Sequence, residues 1–124
     1  MTSNPKALAP CPSSPNCVSS AATDPGHRVE PLAFVGRPDV ALGRLRDTIA
    51  AMPRARVTSS TDWSLHAEFT SRLFRFVDDV DCVLDVAASV IHIRSASRTG
   101  YSDLGVNRKR VEQIRADFAR RSTP

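Results

Sequence analysis

Apolar positions recur along this chain with two different periods, and the changes of period divide it into elements. From Arg28 to Val35 (R-V-E-P-L-A-F-V) apolar and polar residues alternate, which predicts a strand with Leu32 and Phe34 on its inner face. Pro31 has no N–H for a ladder, so this strand is expected at an edge. Pro38-Asp39 then opens a helix whose apolar residues, Leu42, Leu45, Ile49 and Met52, fall three and four apart, leaving Arg44, Arg46 and Asp47 outside. Pro53 ends it. Period two returns afterwards. Arg56–Thr61 is polar and β-branched and reads as the far edge. Trp63–Thr70 sets Leu65, Ala67 and Phe69 against His66, Glu68 and Thr70. Phe74–Val86 sets Phe74, Phe76, Val80, Cys82, Leu84 and Val86 against Arg75, Val77, Asp79, Asp81, Val83 and Asp85. Asp78 interrupts the apolar row, where a bulge or bend is expected. Ser89–Ala96 is the last strand, with Ile91 and Ile93 inward and His92 and Arg94 outward. A final helix over Asn107–Arg120 buries Val111, Ile114 and Phe118, with Asp103 or Asn107 as its cap.

The order β-α-β-β-β-β-α predicts an α+β two-layer sandwich: an antiparallel sheet of about five strands with two helices on one face. The topology is similar to TBP-like folds, in which the first strand lies beside the last. Residues 28–121 are expected to form one domain. Residues 1–27 read as an arm that packs on it as an irregular loop, because Pro5, Pro10, Pro12, Pro15 and Pro25 deny it a helix or a central strand.

Charge sharpens this picture. The net +4 is made of +3 over residues 1–56, −4 over residues 57–91 and +5 over residues 92–124. Of the 17 basic residues 15 are arginine, which favours bidentate capture of carboxylate or phosphate. No run reaches the length of a membrane span, and the first residues carry no apolar core behind Lys6, so a cytoplasmic location without a secretory signal is expected.

The basic charge gathers in Val90–Glu112, where a strand runs through a polar, glycine-punctuated turn into a helix. Four arginines (Arg94, Arg98, Arg108, Arg110), Lys109, three serines (Ser95, Ser97, Ser102) and two glycines (Gly100, Gly105) lie within 17 residues. Free N–H groups and the dipole of a helix N-terminus suit an anion, the arginines would close on it, and the glycines would let backbone approach it. The competing reading is that Asp103 caps the helix and the charges pair internally. With hairpin turns near Ser71–Leu73 and Ala87–Ala88, Glu68 would face Arg75 and Asp81 would face Arg94 across the ladders. The same outward face could bring His66, Glu68, Asp79, Asp81 and His92 together for a divalent cation or for acid–base work, but no standard ligand string is present, and neither metal nor cofactor is expected. Cys82 falls on an apolar face. Cys11 and Cys17 would bridge in an exported chain and remain thiols in a reducing cytosol.

Two stretches carry a resemblance. C-P-S-S-P-N-C-V-S-S (Cys11–Ser20) and S-A-S-R-T-G-Y-S-D-L-G-V-N-R-K-R-V-E (Ser95–Glu112), with H-A-E-F-T-S-R-L-F-R-F-V-D-D-V-D (His66–Asp81) between them, resemble the family catalogued as domain of unknown function 1499. Members of that family occur in bacteria and plastids, some with export or membrane segments. The family has no established activity, so the resemblance assigns no catalytic role. It implies that the two signature stretches form one site.

The leading expectation is therefore a binding module for a small anionic ligand, held between the Cys11–Ser20 loop and the Ser95–Arg110 turn. The expected contacts are Ser13, Ser14 and Asn16 on the loop, with Arg94, Ser95, Ser97, Arg98, Ser102, Asp103, Asn107, Arg108 and Arg110 on the other side. One rival is a hydrolytic or thiol enzyme using Cys11, Cys17 or a serine beside His66 or His92. Another is an interaction module whose arm binds a protein partner. Nucleic acid fits poorly, because the exposed sheet face carries the −4 segment and Tyr101 is the one aromatic in the basic stretch.

Overall fold

Six strands and two helices make up the protein in the computed structural model, which describes residues 8–72, 75–100 and 102–121. The elements are β1 (Cys17–Ser19), β2 (Leu32–Ala33), α1 (Pro38–Ala50), β3 (Ala55–Ser60), β4 (Ser64–Thr70), β5 (Val77–Asp85), β6 (Val90–Ser97) and α2 (Val106–Arg121). The sheet runs β1-β6-β5-β4-β3, every strand pairing is antiparallel, and β2 joins the upper part of β6, so the first predicted strand does lie beside the last. The fold is α+β.

The inner faces of the strands and the apolar stripes of both helices form one core. Leu65, Ala67 and Phe69 of β4, Val80 and Cys82 of β5, and Ile91 and Ile93 of β6 meet Leu42, Leu45 and Ile49 of α1 and Val111, Ile114 and Phe118 of α2. Both helix stripes are those that periodicity predicts, as is the alternation of β4, of β6 at Ile91 and Ile93 and of β5 at Val80 and Cys82.

Five expectations change. The strand over Arg28–Val35 shrinks to Leu32–Ala33, since Pro31 breaks the ladder and Arg28 makes only a single parallel bridge to Ser19. The arm is not wholly irregular: Cys17–Ser19 pairs with β6 along Ala96–Arg94 and closes that edge of the sheet. The β4–β5 hairpin turns about two residues later than the spacing suggests, so Glu68 pairs with Asp79, not Arg75, while Asp81 does face Arg94. Leu73 and Phe74 lie outside the described residues; Phe76 and Val86, expected inward, are exposed.

Asp78 is the fifth. It causes no bulge; β5 keeps register there with Phe69 and Ser97, and the irregularity sits in β3 between Val57 and Ser59. The carboxylate points into the core side and is matched by Arg110 of α2 at 2.6 Å, both side chains largely buried. The Arg110 guanidinium also lies 4.8 Å above the Phe69 ring. A buried charge is tolerated because its partner is supplied across the layers.

Truncation of the central strand tests this core. Ile93→Ala is expected to lower unfolding free energy by about 2–5 kcal/mol in urea denaturation, whereas Val83→Ala on the opposite face costs less than about 1 kcal/mol.

Candidate functional site

The two signature stretches meet, as expected, but they meet by satisfying each other. β1 pairs with the end of β6, and the Asn16 carbonyl accepts the Ser97 N–H at 3.0 Å. The Asn16 amide donates to the carbonyls of Gly100 (2.7 Å) and Thr99 (3.4 Å), and its Oδ1 accepts the Ser14 hydroxyl at 2.8 Å. Below it lies Asn107, on the first turn of α2 and fully buried. Its Nδ2 donates to Asp103 Oδ2 (2.7 Å), Ser97 Oγ (2.9 Å) and the Asn16 carbonyl (3.3 Å). Its Oδ1 accepts from Ser95 Oγ (2.6 Å) and Arg110 Nη1 (3.0 Å).

Asp103 caps α2. Its carboxylate accepts the Gly105 N–H at 2.8 Å and the Asn107 N–H at 3.1 Å. Burial works against its ionised form, but the bonds from the Asn107 side chain and the Asn107 and Gly105 backbone outweigh it and hold the carboxyl below the usual range. The helix N-terminus thus already holds an anion, from its own chain. Ser102, exposed, accepts the Leu104 N–H at 3.3 Å. Gly100 and Gly105 adopt φ of 83° and 82° with nothing within 4 Å of where a Cβ would stand. Their role is the left-handed turn, not close approach to a ligand.

The predicted arginines also bond within the chain, to different degrees. Arg98 forks onto Asp79 (2.8 and 2.9 Å) and reaches Glu68 at 2.7 Å. This guanidinium holds both carboxyls below their usual range, and they in turn raise Arg98. Arg110 serves Asp78 and Asn107. Arg108 donates to the carbonyls of Arg28 (2.8 Å), Gly26 (3.1 Å) and Pro25 (3.4 Å). Arg94 reaches the Pro10 carbonyl at 3.3 Å.

Cys11 and Cys17 form a disulfide, which answers the open reading of these cysteines in favour of the bridge. Such a bond persists in oxidising compartments. Cys82 is buried, and desolvation pushes its thiol far above the usual range, so it is inert.

A serine–histidine–carboxylate chain does form on the outer face. Ser20 Oγ lies 3.1 Å from His92 Nδ1, and His92 Nε2 lies 3.2 Å from Asp85 Oδ2. Ser20 also accepts the Ile93 N–H at 2.9 Å and is only 3% exposed. No substrate carbonyl reaches a hydroxyl so enclosed; this chain of bonds pins β1 to β6. His66 bonds Thr58 Oγ1 (2.6 Å) and Asp79 Oδ1 (3.0 Å). Among the described residues no group of three or more His, Cys, Asp or Glu is placed to hold a metal.

A second group of cations gathers at the other side of the sheet. Where β3 begins and β4 ends, a cleft of about 400 Å³ is lined by Arg54, Arg56, Arg72 and Arg75, with Thr70, Ser71 and Glu68. Arg54, Arg72 and Arg75 make no ion pair with a described residue, and Arg56 meets Glu68 only at 3.5 Å. Glu68, the cleft's one carboxylate, is held by Arg98. Arg54 and Arg75 sit at φ of 59° and 60°, a conformation costly for non-glycine residues. Sequence reasoning missed this cluster because its members are 21 residues apart at the extremes and only the β3–β4–β5 register joins them.

Residues 7–118 match the family described as protein of unknown function (DUF1499), nearly the whole chain, and the protein belongs to it. No curated protein and no solved structure is significantly similar to the chain.

Two measurements probe the scaffold. Asn107→Ala leaves several buried partners unpaired and is expected to cost at least ~3 kcal/mol in chemical denaturation. Reducing the disulfide, which spans a sequence separation of 6, is expected to cost roughly 2 kcal/mol without unfolding the sheet, read by the same assay with and without a dithiol.

Proposed function

We propose that this member of the DUF1499 family is a binding module for a small anionic ligand, received in the arginine cleft at the β3–β4 end of the sheet. The observation that carries it is the contrast between arginines. Those of the Ser95–Arg110 turn are spent on carboxylates and carbonyls of their own chain, while Arg54, Arg72 and Arg75 line a concave surface without an acidic partner among the described residues. The lining carries four arginines and one carboxylate, a local charge of +3. Thr70 and Ser71 offer hydroxyl groups beside them. Planar guanidinium forks suit phosphate, sulfate or carboxylate oxygens. Left-handed backbone at Arg54 and Arg75 is the kind of strain retained where function needs it.

Arg98 keeps a part in this reading. It does not touch the ligand; it neutralises Glu68 and so keeps the cleft attractive to an anion. The signature stretches are then scaffold: the described part of the N-terminal arm, residues 8–27, packs on the domain, and the turn fixes the strand ends that carry the cleft. The disulfide makes an oxidising compartment the working environment. Among the described residues no helix is long and apolar enough to cross a membrane. Of the chain's nucleophiles, Cys11 and Cys17 are bridged and Ser20 and Cys82 are enclosed.

Thermal shift tests the assignment. Phosphate, sulfate and pyrophosphate at matched ionic strength are expected to raise the melting temperature, by about 2.7 kcal/mol of stabilisation at 100-fold over the dissociation constant. Arg72→Gln is expected to weaken the effect. Arg75→Gly is expected to remove it while leaving the unliganded melting temperature unchanged or higher, because glycine accepts the left-handed φ. Arg108→Ala should keep the shift. A shift that survives Arg72→Gln with Arg75→Gly, or no shift with any anion, would overturn the proposal.

A further inference from the structure

His27 stands where the N-terminal segment turns back toward the sheet, and both of its ring nitrogens face oxygen atoms. Nδ1 lies 2.6 Å from Asp24 Oδ2, and Nε2 lies 2.9 Å from the carbonyl oxygen of Ser14. A carbonyl oxygen only accepts, an ionised carboxylate only accepts, and a neutral imidazole has a single N–H. The two contacts are hydrogen bonds together only when the ring carries a proton on each nitrogen. We propose that His27 is a pH-operated clasp on the disulfide loop Cys11–Cys17, closed on Ser14 as the imidazolium and open there as the neutral ring.

The charges around the ring decide which bond is lost. Asp24, on the same turn, favours the imidazolium; so does the Ser14 carbonyl from the loop; Arg108, from α2, opposes it. On losing one proton the ring keeps the stronger, charge-assisted acceptor, Asp24, and releases the neutral carbonyl of Ser14. The turn beneath stays in place, because Arg108 holds the carbonyls of Pro25, Gly26 and Arg28 and the Ser19 N–H donates to the His27 carbonyl at 2.7 Å. What opens is the loop. Its Ser14 hydroxyl supports Asn16 Oδ1, and the Asn16 amide holds the Thr99 and Gly100 carbonyls, so the clasp acts on the joint between the two signature stretches. The disulfide keeps the loop's ends together throughout. None of this depends on the arginine cleft.

The pH window follows. The Ser14 carbonyl first, then Asp24, hold the His27 imidazolium above the ordinary histidine range, whose centre is about 6.5. A raised folded-state value means that the clasp's contribution is complete below the ordinary value and is lost as pH rises through the folded one.

Imidazole NMR on the full disulfide-bonded chain tests this. His27 is expected to titrate above about 6.5, and the amide signals of Ser14, Asn16 and Gly100 to move with the same midpoint. In His27→Gln those amides should lose that titration. Asp24→Asn, a milder surface change, should lower the His27 midpoint and carry the amide midpoint down with it, which keeps the test available should the glutamine variant fold poorly. A His27 midpoint at or below the ordinary value, or loop amides that do not follow His27, would overturn the clasp.

Discussion

A buried amide must find partners for all its polar atoms, and Asn107 meets that demand by drawing three parts of the chain to one point. The N-terminal loop contributes the Asn16 carbonyl, β6 contributes Ser95 and Ser97, and α2 with the cap before it contributes Arg110 and Asp103. In water each of these groups would have a partner without folding, so the net gain per bond is only ~0.5–1.5 kcal/mol. The cost of leaving any of them unpaired in the interior is larger. That asymmetry makes the arrangement specific: the loop cannot sit elsewhere without stranding the amide, and α2 cannot rotate without stranding Asp78.

Arginine does for the irregular segment what a ladder does for a strand. Between Ser20 and Pro31 the backbone makes few regular bonds, yet its carbonyls are met by guanidinium groups. Arg108 takes those of Pro25, Gly26 and Arg28; Arg115 takes those of Glu30 and Pro31; Arg28 takes that of Ser20. Each fork has several donors in a fixed plane and can satisfy neighbouring carbonyls at once. Two of the arginines of α2, Arg108 and Arg115, are therefore spent on attaching the N-terminal segment.

The layers of this fold were legible from periodicity, since Leu42, Leu45 and Ile49 or Leu65, Ala67 and Phe69 have one face to bury and few ways to bury it. Register was less so: Glu68 meets Asp79 because the hairpin turns later than local spacing suggests, and no residue in that turn announces its length. Asp78 was unreadable from its own strand, because its partner Arg110 arrives from a helix 32 positions away. The candidate site suffered the same blindness. Local sequence showed arginines and serines crowded in one turn, and their carboxylate and carbonyl partners come from distant segments. Conversely Arg54, Arg56, Arg72 and Arg75 look scattered along the chain and share a cleft only through the sheet.

The cleft and the turn are two ends of one charge chain. Arg98 leaves the turn and takes Asp79 and Glu68; Glu68 lines the cleft and touches Arg56. In the proposed reading, an anion in the cleft would meet arginines beside Glu68, the one carboxylate among the described lining residues, which Arg98 already holds. Following the arginine Nε–Hε NMR signals while inorganic pyrophosphate is added tests this most directly. The account predicts that the resonances of Arg54, Arg72 and Arg75 move with one saturating curve, while those of Arg108 and Arg110 stay still. Movement centred on Arg108 and Arg110, with the cleft arginines unchanged, would contradict it.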